Sequence, residues 1–325
     1  MIEIVQCLTS KLLYNLIKSP VKQVVLEWIK VCLEANRNKA KLVASFVSGS
    51  GSSDGFMLNL AGVLLKLCTP FLGPLNTKLS TVDVRFCGPQ SNSLFSQPQE
   101  DKILDKIGDV EITKEMLSEL EVPEQFNFIT TCFYVTHRAL QLAYISPFDK
   151  YKRLMKSLME TQGLIQDMGS SPLNNDGSVR ERFESLFVEQ LEVKTHLLHP
   201  DSITRVLMFY TTSANWLSQL STSTNQITVA DISAVLSIPE TPSKTMAMIP
   251  SYFISAACQF LINVRYFAEV SLEEFHSMDY LVTFLVLFCN KAWVPNPHIR
   301  AEIIEALTVF IPNERSKSSI PTTNR

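Results

Sequence analysis

The 325-residue chain is poor in glycine, with only 10. That scarcity argues against collagen-like repeats, flexible Gly-rich linkers and Gly-rich phosphate loops. An excess of one charge is missing too. With 29 Lys and Arg against 32 Asp and Glu, the formal net charge of −3 gives no field to hold a polyanion, so nucleic acid is a poor candidate partner. No apolar run reaches the ~20 residues a bilayer core requires, so no membrane span is expected. Leu281 to Cys289 is too short, and Phe56 to Cys68 is interrupted by Asn59 and Lys66. The opening Met1-Ile2-Glu3-Ile4-Val5 lacks a basic stretch leading into an apolar segment and a cleavage site, so no secretory signal is expected. Close cysteine pairs are absent as well. The seven cysteines (Cys7, Cys32, Cys68, Cys87, Cys132, Cys258, Cys289) are odd in number and scattered through mostly apolar stretches. Such usage suits free thiols in a reducing compartment and gives no zinc knuckle.

What the chain does contain is apolar: 46% hydrophobic residues with 19% charged, enough for a folded core. Apolar residues recur at the spacing of a helix face in Ile4, Val5, Leu8, Leu12, Leu13, Leu16, in Val21, Val24, Val25, Trp28, Ile29, Cys32, Leu33, and in Phe56, Leu60, Val63, Leu64, Leu67. Residues 1–70 therefore predict three packed helices. From 71 to 123 the pattern breaks into turn chemistry, with Gly73-Pro74, Gly88-Pro89 and a polar run over 90–100, and predicts an irregular insertion. Within it Thr113 is placed to cap a short helix. Periodicity resumes over 124–311, with helices expected at 126–144, 151–165, 179–199, 200–220, 249–268, 271–291 and 298–311. Loops are expected at 168–178, 221–228 and 237–248, and a polar tail at 312–325. No sustained strand alternation is visible. The fold class that follows is all-α, an elongated, irregular helical-repeat solenoid.

Candidate chemistry is sparse. His196 and His199 are the one close histidine pair, and their place before Pro200 suits the end of a helix better than a metal site. Cys132 and His137 are five positions apart, a separation that rotates them away from each other on a helix. The Gly49 to Gly55 segment lacks the Lys of a phosphate loop and suits a lead-in capped by Ser53 or Asp54. No catalytic residue, metal ligand or cofactor site is expected.

Three segments are more distinctive: Asp54-Gly55-Phe56-Met57-Leu58-Asn59, Cys132-Phe133-Tyr134-Val135-Thr136-His137, and Asn296-Pro297-His298-Ile299-Arg300-Ala301. In this order they resemble the core of the ubiquitin conjugation factors that elongate ubiquitin chains, the E-four factors with a C-terminal U-box. The resemblance covers roughly Val21 to Ile311. Two positions depart from it: Glu302 stands where the family usually has Lys, and Ser251 where an acidic residue is common. The resemblance implies armadillo-like repeats and a U-box that recruits a charged ubiquitin-conjugating enzyme, so that ubiquitin passes with no covalent ligase intermediate. It also implies ubiquitinated substrates, an AAA-type unfoldase and proteasome shuttle factors as partners. The setting would be ubiquitin-dependent degradation, including that of endoplasmic-reticulum proteins, in the cytoplasm and nucleus. No U-box is recognisable after Ile311, so the expectation for this chain is a scaffold. The signature residues (Asp54, Gly55, Phe56, Asn59, Cys132, Phe133, Thr136, His137, Asn296, Pro297, Arg300) are expected to be mainly structural; His298 and Arg300 are the candidates for a partner surface. The competing readings are a helical-repeat adaptor in trafficking or transport and, more remotely, a hydrolase using Cys132 and His137.

Overall fold

The apolar spacing at the start of the chain produces three helices in the computed structural model, which describes residues 2–40, 51–89, 91, 102–107, 110–118, 121–168, 177–222 and 242–311. These are α1 (Ile2–Ile17), α2 (Lys22–Ala35) and α3 (Asp54–Cys68). The junction before α3 is fixed by buried Asn36, whose Oδ1 accepts from the Ser52 N–H and hydroxyl, both at 2.9 Å, while its amide donates to the Cys32 carbonyl at 2.7 Å. Gly51 beside it has φ 119°, and a Cβ there would lie 2.8 Å from Asn36 Oδ1, so glycine is needed. Ser53 then caps α3, its hydroxyl accepting from the Phe56 N–H at 3.2 Å. α1 lies so close to α3 at Gly62 that a Cβ would collide with the Gln6 carboxamide.

The first two helices bury less than their apolar stripes suggest. Leu13 and Ile17 of α1 and Val25, Leu26, Ile29 and Leu33 of α2 are buried, but Ile4, Val5, Leu8, Leu12, Val21, Val24, Trp28 and Val31 face outward. The stripe is wide enough to cover two faces of each helix, and in this structure only one of them meets the core. Phe56 on α3 is likewise 38% exposed.

Between α3 and the next long helix the chain forms three short 3-10 turns (Thr69–Phe71, Thr77–Thr81, Val84–Cys87), a two-stranded antiparallel hairpin of β1 (Lys106–Ile107) and β2 (Val110–Glu111), and α4 (Lys114–Ser118). The hairpin was not expected, because two residues per strand are too few to show alternation. α4 starts as predicted, with the Thr113 hydroxyl accepting from the Met116 N–H at 3.3 Å. This irregular backbone is pinned by side chains from two long helices. The Gly73 N–H donates to Thr212 Oγ1 at 2.9 Å, and the Asn215 amide donates to the Pro74 carbonyl. Asn127 donates to the Thr81 carbonyl at 2.7 Å, the Asp83 N–H donates to Thr130 Oγ1 at 3.0 Å, and the Tyr134 hydroxyl donates to the Val84 carbonyl at 3.2 Å. Buried loop backbone needs such partners, because no ladder supplies them.

The central element is α5 (Phe128–Met168), 41 residues with Pro147 inside and about 60 Å long at 1.5 Å per residue. Two helices separated by Pro147 were expected, since proline removes a helical hydrogen bond at a cost of about 3 kcal/mol. Packing on both sides of the proline overrides that. Tyr144, Phe148 and Tyr151 are buried and contact Phe260 and Phe267, with Tyr144 and Phe260 edge to face at 5.1 Å and Tyr151 and Phe267 at 5.0 Å.

α6 (Gly177–Leu197) returns along α5, and α7 (Pro200–Thr222) begins at Pro200 as expected. α8 (Tyr252–Phe267), α9 (Glu269–Glu273), α10 (Met278–Phe288) and α11 (Pro297–Thr308) follow. One helix over 271–291 was predicted, but the chain breaks between α9 and α10. Leu272 and Phe275 both turn into the core there, and no Gly or Pro announces the break. The expected loop at 237–248 includes a 3-10 turn, Lys244–Met248, with Met246, Ala247 and Met248 buried. Most of the 90–100 run, most of the 168–178 and 221–228 breaks and the whole 312–325 tail lie outside the described residues. α1 packs on α3, α3 on α5, α5 on α6 and α8, α8 on α11, and α7 and α11 on α10, so the chain is an all-α helical solenoid.

Replacing Thr212 by Val keeps the shape and leaves the Gly73 N–H without its partner. The expected cost is about 1–3 kcal/mol, measured by urea denaturation, with faster hydrogen exchange at Gly73. Thr195→Val, which removes a hydroxyl bonded only within its own exposed helix turn, is expected to change stability by less than about 0.5 kcal/mol.

Candidate functional site

The three distinctive segments occupy three separate places, and among the described residues no hydrogen bond, ion pair or ring contact joins one to another. The first opens α3. Asp54 pairs with Lys39 at 2.5 Å, and Asn59 Oδ1 accepts from the Gln6 amide at 3.2 Å, tying α3 to the segment after α2 and to α1. Gly55 faces open space.

The second segment forms the middle of the core. Phe133 makes ring contacts with Phe209, Trp216 and Phe253, drawn from α7 and α8. The His137 ring stacks on Phe253 at 3.6 Å between centroids and is 1% exposed. Its Nε2 lies 2.7 Å from Ser213 Oγ, and that hydroxyl donates to the Phe209 carbonyl at 3.0 Å. The Ser213 proton is thereby committed, so Nε2–H is the donor and Nδ1 is the bare nitrogen, which has no partner. Burial holds the His137 pKa well below its usual value, and the ring is neutral. Cys132 is buried one turn away, its carbonyl accepting from the Cys68 thiol at 3.7 Å, and Cys68 Sγ lies 3.2 Å from Thr136 Oγ1. Desolvation pushes the Cys132 thiol far up and the Cys68 thiol to about 12. A buried neutral thiol whose neighbouring histidine is bonded to a serine is not an activated nucleophile. This geometry removes the basis for the Cys132–His137 hydrolase reading.

The third segment opens α11. Asn296 caps it by accepting from the His298 N–H at 2.9 Å, and Pro297 takes the first position. Arg300 turns back, its Nη1 donating to the Val294 and Pro295 carbonyls, each at 2.7 Å, so its guanidinium fixes the preceding loop. His298 is exposed. Glu302, one of the positions that departs from the resemblance, is wedged between α11 and α8. Oε1 accepts from the Gln259 amide at 2.9 Å, Oε2 is buried without a partner, and burial raises its pKa.

His196 and His199 lie exposed on the wall of a cleft between α1, α3 and the α6–α7 corner, which also takes in Glu3, Asn59, Ser202 and Arg205. Sequence reading missed this cleft, because Glu3 and Arg205 are 202 positions apart. Among the described residues no three His, Cys, Asp or Glu side chains converge as metal ligands, and no helix is long and apolar enough to cross a membrane. All seven cysteines are free thiols.

The comparisons with known proteins agree with one another. The family described as the ubiquitin elongating factor core matches residues 2–324. The ubiquitin conjugation factor E4 A of Bos taurus is 27% identical over 316 residues, covering 93% of this chain and 29% of its own length. The probable ubiquitin conjugation factor E4 of Arabidopsis thaliana is 25% identical over 343 residues, with 92% of this chain and 31% of that protein covered. The Schizosaccharomyces pombe ubiquitin conjugation factor E4 is 22% identical over 315 residues, with 92% and 30% covered. The chain thus spans less than a third of the length of these curated relatives.

Two pH dependences of opposite sign follow from the buried groups. His137 stays neutral when folded but takes a proton near pH 6.5 when unfolded, so stability is expected to fall as pH drops below about 6.5, by up to about 1.4 kcal/mol per unit. Urea denaturation between pH 7.5 and 5.5 measures this, and His137→Gln should flatten that limb. Glu302 behaves oppositely: its raised folded pKa makes its contribution favourable below its unfolded pKa of about 4.3, and this is lost as pH rises through the folded value. Glu302→Gln is expected to melt above the parent at pH 7.5, with the difference shrinking towards pH 4.5.

Proposed function

Given that the chain belongs to the ubiquitin elongating factor core family, we propose that it provides the protein-binding helical scaffold of a ubiquitin chain-elongation factor. The observation that carries this reading is the family match, which runs through nearly the whole chain, from residue 2 to 324. The place of the three signature segments supports it: they form two helix starts and part of the central core, a structural use that suits a scaffold. In this reading the transfer chemistry belongs to a charged ubiquitin-conjugating enzyme brought by a U-box, and ubiquitin moves without a covalent ligase intermediate. The scaffold, with armadillo-like repeats, holds ubiquitinated substrates, an AAA-type unfoldase and proteasome shuttle factors. The work is ubiquitin-dependent degradation, including that of endoplasmic-reticulum proteins, in the cytoplasm and nucleus, where free thiols such as the seven here persist.

A reconstituted reaction tests this, with activating enzyme, charged conjugating enzyme and a monoubiquitinated substrate. This chain is compared with the same chain fused to a U-box and with the U-box alone. The expected outcome is chain extension by the fusion beyond that of the isolated U-box. Equal extension by the fusion and the isolated U-box would deprive the scaffold of a role and favour a trafficking or transport adaptor.

A further inference from the structure

Arg205 and Glu3 line the cleft between α1, α3 and the α6–α7 corner, and Lys66, outside that lining, converges on the same carboxylate. Lys66 on α3 and Arg205 on α7 both reach Oε1 of Glu3, at 3.6 Å and 3.0 Å. The side chains of Lys66 and Arg205 are 16% and 27% exposed, whereas that of Glu3 is 53% exposed. Packing therefore positions the cations, and the carboxylate that joins them comes from the first turn of the first helix. Arg205 uses a single Nη1 bond to one carboxylate oxygen, although guanidinium binds a carboxylate best through two parallel bonds. Two positive charges are thus served by one oxygen atom, an incomplete pairing that another carboxylate could improve.

The surroundings fit a peptide better than a free anion. The Gln6 and Asn59 carboxamides bond to each other and the Thr195 hydroxyl to its own helix, so what the wall offers beside Arg205 is the hydroxyl of Ser202 and the imidazoles of His196 and His199. These are donors and acceptors suited to an extended backbone, not the nest of backbone N–H groups that cradles phosphate. The whole chain is net negative, so a local excess of Lys66 and Arg205 over Glu3 is a departure from the average. We propose that Lys66 and Arg205 form a carboxylate-binding site for an acidic peptide segment, and that Glu3 fills it from within the chain until such a segment displaces it. The site is independent of ubiquitin transfer, so its failure leaves the family reading intact.

The test is fluorescence anisotropy of the full chain with a labelled decapeptide of alternating Glu and Ser, and with its Gln-for-Glu counterpart. The expected result is binding of the Glu peptide alone, tightened about two- to fivefold by Glu3→Gln, the worth of an exposed ion pair. Lys66→Met and Arg205→Ala should each weaken it by about tenfold or more. Lys156→Met, which removes an exposed lysine elsewhere on α5, should leave it unchanged. The proposal fails if Glu3→Gln does not tighten binding, if Lys156→Met weakens it as much as Lys66→Met does, or if inorganic phosphate binds as tightly as the peptide. Because Glu3 is more than half exposed, its variant keeps the test decisive even if a cation variant unfolds.

Discussion

The ring cluster around Phe133 and His137 is the contact on which the rest of the architecture hangs. It lies in the first quarter of α5, the longest helix among the described residues, and receives aromatic side chains from two others, Phe209 and Trp216 from α7 and Phe253 from α8. Each of those helices carries a further layer, α10 on α7 and α11 on α8. Burying large rings at one junction fixes the relative positions of α5, α7 and α8. Neutral His137 is compatible with this site because its one polar bond, to Ser213, is satisfied, although its second nitrogen is left without a partner.

That arrangement bears on what the molecule can do. The groups that would be reactive in another setting, Cys68, Cys132 and His137, are committed to the interior and held in their neutral forms. Among the described residues, the surfaces open to recognition include the outward apolar side chains of α1 and α2 and the polar cleft at the α6–α7 corner. A helical scaffold presents such surfaces at fixed separations, which suits bringing several proteins to one place.

The helices were legible because their signals are local. Ser53, Thr113 and Asn296 announce helix starts through caps whose geometry involves three or four consecutive residues. Pro147 misled, since the aromatic packing of Tyr144, Phe148 and Tyr151 comes from residues more than 100 positions later and outweighs a local rule. The break before α10 and the outward faces of α1 and α2 escaped for the same reason: amphipathic spacing shows that a helix has an apolar side, and not which part of it will be covered. The signature segments were legible as a family likeness. That Arg300 would turn back onto the loop before it, or that Glu3 would meet Arg205, depends on the fold and has no trace in spacing.

The way the irregular segment after α3 is held has a consequence for its evolution. Thr212, Asn215, Asn127, Thr130 and Tyr134 all grip main-chain atoms, the N–H groups of Gly73 and Asp83 and the carbonyls of Pro74, Thr81 and Val84. A hydrogen bond to the main chain is indifferent to the side chain attached there. The helices therefore dictate the path of this stretch and leave the identity of its outward residues open, so its surface can diversify by single substitutions without disturbing the shape that displays it.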